Sequence, residues 1–107
     1  QPELRDPEAL EFGGVRLDKH SFTLSCGERS VRLSRKEFDI CELLMLNRNL
    51  VLTKETLLLK IWGHESDAED NNVEVYISFL RKKLAHIRAK VRIRTIRMVG
   101  YCLEEES

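Results

Sequence analysis

The stretch N-N-V-E-V-Y-I-S-F-L-R-K-K-L, residues 71–84, decides the fold, because it is compatible with two secondary structures. With a period of two, its apolar residues alternate with polar ones, as in a half-buried strand. With a helical period, four apolar residues share one stripe at spacings of four, three and four: Val73, Ile77, Leu80 and Leu84. The pattern continues to about Ala89 without a turn residue, far beyond a strand of about five or six residues. The sequence therefore predicts a helix over residues 71–89.

The chain before this helix changes character at Ser34. From Leu10 onwards, short apolar pieces alternate with turn signals such as Gly13-Gly14, which predicts about four short antiparallel strands. Residues 34–37, S-R-K-E, form a capping box that should begin a first helix. Thr53 should cap a second helix, after an extended link at residues 50–52.

The third helix lies between an acidic loop and a predicted hairpin. Residues 63–70 are rich in acidic side chains, and Asn71 is the expected N-cap, with Glu74 three residues later. After the helix, V-R-I-R-T-I-R alternates with period two and is followed by M-V-G and Y-C-L, which predicts a β-hairpin over residues 91–103. The expected fold class is therefore α+β, with strands, three helices and a hairpin in that order.

The composition is that of one small globular domain. The chain has 107 residues, of which 42% are hydrophobic and 34% charged. No apolar run approaches the roughly 18 residues that a membrane helix requires. Residues 1–8 contain both prolines and are expected to be a linker remnant from a longer protein, and residues 104–107 are expected to be an acidic tail.

The charge is unevenly distributed, although the formal net charge is zero. Residues 1–70 carry ten Lys or Arg and fourteen Asp or Glu, whereas residues 71–101 carry eight basic residues and one acidic residue, Glu74. A local field of that sign attracts a polyanion to one end of the molecule.

The outer face of the predicted third helix is unusual for a solvated surface. It carries Val75, Ser78 and Lys82, with Phe79 to one side. An exposed helix followed by a basic hairpin is typical of a winged helix-turn-helix, in which the helix enters the major groove and the hairpin reaches the minor groove. Arg97 at the predicted hairpin tip suits a narrow, electronegative minor groove.

Other chemistries find less support in the residues. The cysteines, Cys26, Cys41 and Cys102, are scattered singly and fit small hydrophobes rather than metal or redox sites. The histidines, His20, His64 and His86, have no paired nucleophile or ligand spacing, and no Gly-rich phosphate loop occurs, so no enzyme, metal or cofactor is predicted. Trp62 and Tyr101 fit core aromatics with a satisfied polar group. A winged helix that binds only proteins is the stronger alternative, since Phe79 is hydrophobic.

Five motifs resemble one known family. They are L-S-R-K-E-F (33–38), V-L-T-K-E-T-L-L (51–58), I-W-G (61–63), N-V-E-V-Y-I-S-F-L-R-K-K-L (72–84) and I-R-T-I-R-M-V-G-Y (93–101). In this order they resemble the C-terminal effector domain of OmpR/PhoB-type response regulators, over residues 9–103. The resemblance implies a winged helix with a four-stranded N-terminal sheet, three helices and a C-terminal hairpin, in a bacterial cytoplasmic transcription regulator.

The resemblance also implies partners and residue roles. It implies a phosphoaccepting receiver domain before residue 1, a cognate sensor kinase acting on it, and operator DNA with direct repeats. The residues expected in the major groove are Val75, Tyr76, Ser78, Phe79 and Lys82. Those expected near phosphates are Trp62, Asn71, Arg81, Thr95 and Tyr101. Arg97 is expected in the minor groove, and His64, Glu65 and Asp67 in loop 63–70 are candidates for touching RNA polymerase.

The chain departs from the family pattern at two places. Many members have basic residues where this chain has Ser78 and Phe79. Arginine could read guanine with a bidentate fork, whereas Phe79 can only pack, for instance on a thymine methyl group. The wing usually has glycine where this chain has Met98, so two alternatives are open: a different turn conformation, or a different closeness of the turn to DNA.

Overall fold

The computed structural model describes residues 9–63 and 70–106, and the side chains of all of these except residues 70–72. Ten elements follow one another along the chain: β1 (Ala9–Phe12), β2 (Val15–Asp18), β3 (Thr23–Cys26), β4 (Arg29–Arg32), α1 (Arg35–Leu46), β5 (Leu52–Thr53), α2 (Lys54–Trp62), α3 (Asp70–His86), β6 (Val91–Ile96) and β7 (Gly100–Glu105). This order confirms the predicted α+β winged helix.

The N-terminal strands form an antiparallel meander in the order β1-β2-β3-β4. Gly13 and Gly14 both have positive φ and form the two-residue connection between Phe12 and Val15, as a type I′ turn requires. Between β2 and β3, the Asp18 carboxylate accepts the backbone N–H groups of His20 and Ser21 at 2.8 and 3.1 Å, and these bonds lower its pKa. The predicted four-stranded sheet is confirmed.

The helix caps of α1 and α2 follow the prediction. The Ser34 hydroxyl accepts the N–H of Glu37 at 3.3 Å, and the Glu37 carboxylate accepts the N–H of Ser34 at 2.7 Å, which completes the capping box. The Thr53 hydroxyl accepts the N–H of Thr56 at 3.1 Å. Gly63, with a φ of 62°, ends α2.

The predicted α3 starts one residue too late and ends three residues too late. The helix begins at Asp70, so Asn71 lies inside the first turn and is not the N-cap. It ends at His86 rather than Ala89, because Arg88 adopts a left-handed conformation with a φ of 58°. The N–H groups of Arg88 and Ala89 then bond to the carbonyls of Ala85 and Leu84, both at 3.0 Å, which is a Schellman motif with arginine at the usual glycine position.

A second sheet in the order β5-β7-β6 joins the hairpin to the helices, and the sequence analysis did not predict it. Part of the expected extended link is β5, in which Leu52 and Thr53 pair with Tyr101 and Gly100. The close approach requires glycine, because a Cβ on Gly100 would overlap the Leu52 carbonyl oxygen and lie 2.8 Å from Thr53 Cα.

The hairpin is longer than predicted. Glu104 and Glu105, which the sequence analysis placed in an acidic tail, belong to β7 and pair with Arg92 and Val91 of β6. Ion pairs favour this longer strand, because the Glu104 carboxylate lies between Arg92 and Arg94 of β6.

One core connects the two sheets and the three helices. The predicted inner stripe of α3 is confirmed, since all four of its residues are buried. Cys41 and Cys102 are also buried, and burial raises the pKa of the Cys41 thiol to about 12. Among the described helices, none is long and apolar enough to cross a membrane.

Candidate nucleic-acid interface

Burial of one stripe of α3 leaves its opposite side in solvent. Ser78 and Lys82 are exposed there, and the apolar side chains of Val75 and Phe79 are 45% and 41% exposed. In an isolated domain these apolar groups gain little from their position, whereas a partner surface could cover them.

Aromatic contacts hold Phe79 in a defined orientation. The Tyr76 ring lies 5.7 Å from the Trp62 ring and 5.7 Å from the Phe79 ring, and it meets Phe79 edge-on at 85°. Trp62 is itself fixed, being only 8% exposed, with the Lys36 ammonium 5.2 Å from its ring centroid. The outer aromatic residue is therefore supported through two further rings that reach into the core.

The guanidinium group of Arg81 ties α3 to the hairpin. Its Nε and Nη2 donate to the Ile93 carbonyl oxygen at 3.1 and 2.6 Å, and Nη2 also donates to Thr95 Oγ1 at 2.7 Å. The Cζ atom of Arg81 lies 6.0 Å from the centroid of the Tyr101 ring. Since β6 is an edge strand, this fork satisfies an edge carbonyl and sets the position of the hairpin relative to the helix.

Several other cations of the basic segment are paired inside the domain. Lys83 bonds to the 5%-exposed Glu37 at 2.6 Å, and Arg92 and Arg94 both pair with Glu104, at 2.8 and 3.0 Å. Burial alone would raise the pKa of Glu37, but the bonds from Lys83 and Ser34 outweigh it and lower the pKa. Hydrogen bonds from the two arginines likewise lower the pKa of Glu104.

The described part of segment 71–101 retains four cations that make no ion pair or side-chain hydrogen bond with another described group: Lys82, Arg88, Lys90 and Arg97. Lys82 lies beside Ser78 and Phe79 on the outer face of α3. Arg97 lies at the hairpin tip. The free positive charge of the segment is thus smaller than its residue count indicates, and part of it lies along the helix and tip.

The hairpin tip is a three-residue loop between Ile96 and Gly100, the last pair of the β6–β7 ladder. Met98 has a φ of 65°, and the Val99 N–H donates to the Ile96 carbonyl at 2.9 Å. This is the left-handed turn position at which glycine is usual, so Met98 retains the glycine-type conformation. The alternative of a different turn conformation at Met98 is therefore wrong.

A family model described as "Transcriptional regulatory protein, C terminal" matches residues 27–103. The chain belongs to this family. It is therefore a DNA-binding domain of the kind found in transcriptional regulators of the response-regulator class, and the predicted OmpR/PhoB-type winged helix is confirmed.

Individual relatives of this transcriptional regulatory domain agree. It is 41% identical over 107 residues to the transcriptional regulatory protein DltR of Streptococcus agalactiae, covering 100% of this chain and 48% of the relative. The C-terminal domain of the nisin resistance regulator NsrR matches with a TM-score of 0.77 and 35% identity, over 92% of this chain and 99% of that one. The DNA-binding domain of Klebsiella pneumoniae RstA in complex with the RstA box matches with a TM-score of 0.76 and 31% identity, over 91% and 97%. The chain spans about half the length of the curated relatives it matches.

The structure of this transcriptional regulatory domain separates the residues expected near phosphates into three groups. Trp62 and Tyr101 are 8% and 4% exposed, so both rings belong to the core, and burial raises the pKa of the Tyr101 phenol. Arg81 and Thr95 bond to each other. Asn71 lies in the first turn of α3, but its side chain is outside the described residues. Also outside them are the three candidates for RNA polymerase contact, His64, Glu65 and Asp67.

Three contacts that shape this surface were missed from the sequence. Glu104 neutralises two wing arginines, Lys83 pairs with Glu37 across 46 positions, and the Lys54 ammonium bonds to Glu74 at 2.9 Å. A cross-strand pairing of Arg92 with an acidic residue could have been inferred from the hairpin register. No local signal indicates the other two, because they join residues that are distant in sequence.

Proposed function

We propose that this domain binds double-stranded DNA in a sequence-specific manner, with α3 in the major groove and the tip of the β6–β7 hairpin in the adjacent minor groove. The observation that carries the proposal is one connected surface. It consists of the exposed face of α3, the Arg81 fork and the tip residue Arg97. A helix and a hairpin that are fixed relative to each other can match two neighbouring grooves.

Base reading on this surface is mainly apolar. Phe79, oriented by Tyr76, and Val75 offer hydrocarbon surface, which suits the methyl group of thymine in the major groove. Ser78 offers a small hydroxyl, so neither it nor Phe79 can form the bidentate guanine contact of arginine. Lys82 is the cation placed to reach a base edge or phosphate nearby. We expect thymine-containing half-sites rather than guanine-rich ones.

Phosphate contacts complete the proposed binding mode. Asn71 and Thr95 are proposed to lie close to the DNA backbone, as are the polar edges of Trp62 and Tyr101. Arg81 acts mainly by holding the hairpin in place, since three of its hydrogen bonds are already made to β6. Arg97 is proposed to enter the minor groove, where a narrow A·T-rich groove attracts an exposed arginine.

The wider role is inferred from the relatives. We propose that the domain acts in a bacterial cytoplasmic response regulator, with a phosphoaccepting receiver, a cognate sensor kinase and an operator of direct repeats. Support comes from DltR, a transcriptional regulatory protein about twice as long as the region matched here. Contact with RNA polymerase through residues 63–70 belongs to the same proposal.

Selection of random-sequence duplexes by the 107-residue chain tests the proposal, followed by titration with salt. Each neutralised phosphate should contribute about 0.9 to the slope of log K against log salt concentration. An association with DNA that is insensitive to salt, or no enriched sequence, would favour a protein-binding role for Val75 and Phe79.

The Phe79→Ala variant tests the base contact. It should cost about 1–3 kcal/mol of discrimination at one thymine position and leave preferences elsewhere unchanged. Leu46→Ala is the control, because Leu46 is a similarly exposed apolar residue on α1, outside the proposed interface. An unchanged selection profile for Phe79→Ala would remove Phe79 from base reading.

A further inference from the structure

Met98 is an almost fully exposed residue of the hairpin tip. Met98 is 92% exposed and its neighbour Val99 is 44% exposed, so an apolar pair stands beside Arg97, a cation that makes no ion pair or side-chain hydrogen bond with the described residues. A large apolar side chain in this position buries almost nothing in the free domain.

The backbone beneath Met98 is held from two sides. The Val99 carbonyl accepts the N–H of Lys54 at 3.2 Å, and the Val99 N–H closes the turn onto Ile96. One residue further on, Gly100 packs directly against Leu52 and Thr53 of β5. The tip is therefore anchored to the start of α2, and the Met98 side chain projects from a fixed base.

Methionine is an unfavourable choice here for the free domain alone. The φ of 65° is a conformation that residues with a Cβ adopt at a free-energy cost and glycine adopts freely. The exposed thioether gains no compensating burial. Both effects disfavour methionine before binding, so a compensating contact is expected in a complex.

We propose that Met98 is a DNA-contacting residue that packs its side chain along the deoxyribose wall of the minor groove while Arg97 occupies the electronegative floor. The inference rests on the proposed DNA binding. Minor-groove binders place apolar side chains, methionine among them, against base steps, and a flexible thioether can adapt equally to the irregular hydrocarbon surface of the sugars that line the groove. A tip with one cation and two apolar side chains matches a groove with a negative floor and hydrocarbon walls.

Methionine oxidation gives a test that leaves the sequence unchanged. The chain contains two methionines, and Met45 is only 3% exposed, which makes it an internal reference. Hydrogen peroxide converts a thioether into a sulfoxide with release of water, and peptide mass spectrometry resolves the two sites. The duplex selected from the random library should slow oxidation of Met98 by at least about fivefold. Equal Met98 oxidation with and without the bound duplex would overturn the inference.

Variants distinguish an apolar contact from a charged one. Met98→Ala keeps the strained backbone and should weaken binding to the selected duplex by about tenfold, with the salt slope unchanged, whereas Met98→Leu should retain most of the affinity. Arg97→Ala should instead lower the slope by about 0.9. Leu50→Ala is the control, because Leu50 is an exposed apolar residue outside the tip.

The outcomes separate this inference from the proposed function. If the wild-type chain selects no duplex, the proposed function fails and the inference fails with it. If the wild type binds a selected duplex and Met98→Ala binds it equally well, DNA binding stands and the Met98 contact is refuted.

Discussion

Arg81 and Lys82 are neighbours on α3 with the same charge, but their side chains make different contacts. Arg81 donates three hydrogen bonds to Ile93 and Thr95 of the hairpin, whereas Lys82 is exposed with no described partner. Replacing each with glutamine removes the same charge from adjacent positions. The pair of variants therefore separates the contribution of a contact from that of a charge.

Arg81→Gln should destabilise the domain by about 2 kcal/mol. Hydrogen bonds from a charged donor contribute about 1.5–3 kcal/mol each, but two of the three share the Ile93 oxygen and the group is partly solvated, so the low end of that range applies. For a domain of this size, 1 kcal/mol corresponds to about 4–8 °C in Tm, so Tm should fall by roughly 8–16 °C. Arg81→Lys should lose nearly as much, because an ammonium cannot reproduce the planar fork.

Thermal and urea unfolding provide the measurement, and Lys82→Gln is the matched control. Lys82→Gln should change stability by less than about 0.5 kcal/mol, as is usual for surface substitutions. If Arg81→Gln is as stable as Lys82→Gln, the Arg81 fork does not hold the hairpin and the reasoning is refuted.

The same variants should show coupling in DNA binding. Arg81→Gln removes the attachment of β6 to α3 and leaves only the attachment of the tip to β5 and α2, so Arg97 should be held less firmly relative to α3 and Arg97→Ala should matter less in this background. A double-mutant cycle on the selected duplex should give a coupling energy of at least about 0.5 kcal/mol. Additive effects would mean that the two arginines act independently.

Two further predictions concern the frame that carries the interface. Gly100→Ala should destabilise the domain by at least about 2 kcal/mol, because the new Cβ overlaps the Leu52 carbonyl. Gly27→Ala is the control: its Cβ meets no atom within 4 Å, so it should cost only about 1 kcal/mol for the positive φ. Equal Tm values for the two variants would contradict this prediction. Glu37 has a lowered pKa in the folded state, so its stabilising effect is present at neutral pH and is lost as pH falls from the ordinary carboxylate value of about 4.3 towards the folded value. Urea unfolding from pH 6 to pH 3 should therefore show a smaller loss of stability for Glu37→Gln than for wild type, and identical pH profiles would refute the role of Glu37.

Local signals were sufficient for most of the fold. The inner stripe of α3, the Ser34 capping box and the Gly13-Gly14 turn each depend on residues within a few positions of one another. These three features can therefore be predicted from the spacing of residues along the sequence. The N-cap was wrongly placed on Asn71 because sequence patterns locate a helix end only to within one or two residues. The C-terminal end was wrongly placed because Arg88 adopts a left-handed conformation that glycine usually provides.

Contacts between residues that are distant in sequence could not be predicted from the sequence pattern. Strand β5 exists because Gly100 allows Leu52 to approach β7, and nothing in the sequence near Leu52 indicates that pairing. The same holds for Arg81, whose position on α3 is equally compatible with a phosphate contact and with the fork to Ile93. The side-chain surroundings of the candidate interface therefore required the three-dimensional structure.

The distribution of paired and unpaired cations bears on how the domain obtains specificity. Of the eight basic residues in segment 71–101, Arg81, Lys83, Arg92 and Arg94 bond within the domain. Arg81 bonds only to neutral oxygens, so within the described residues five cations of this segment have no acidic partner. Five cations would neutralise few phosphates, so binding independent of sequence should be weak and its salt slope no more than about 4.5 per domain. Affinity for a chosen sequence must then come from shape and apolar fit. The exposed apolar groups stand where such a fit would form, Val75 and Phe79 on the helix and Met98 at the tip. A surface of this composition favours discrimination between sequences over general attraction to DNA, and binding to two adjacent sites would add the affinity that a single domain lacks.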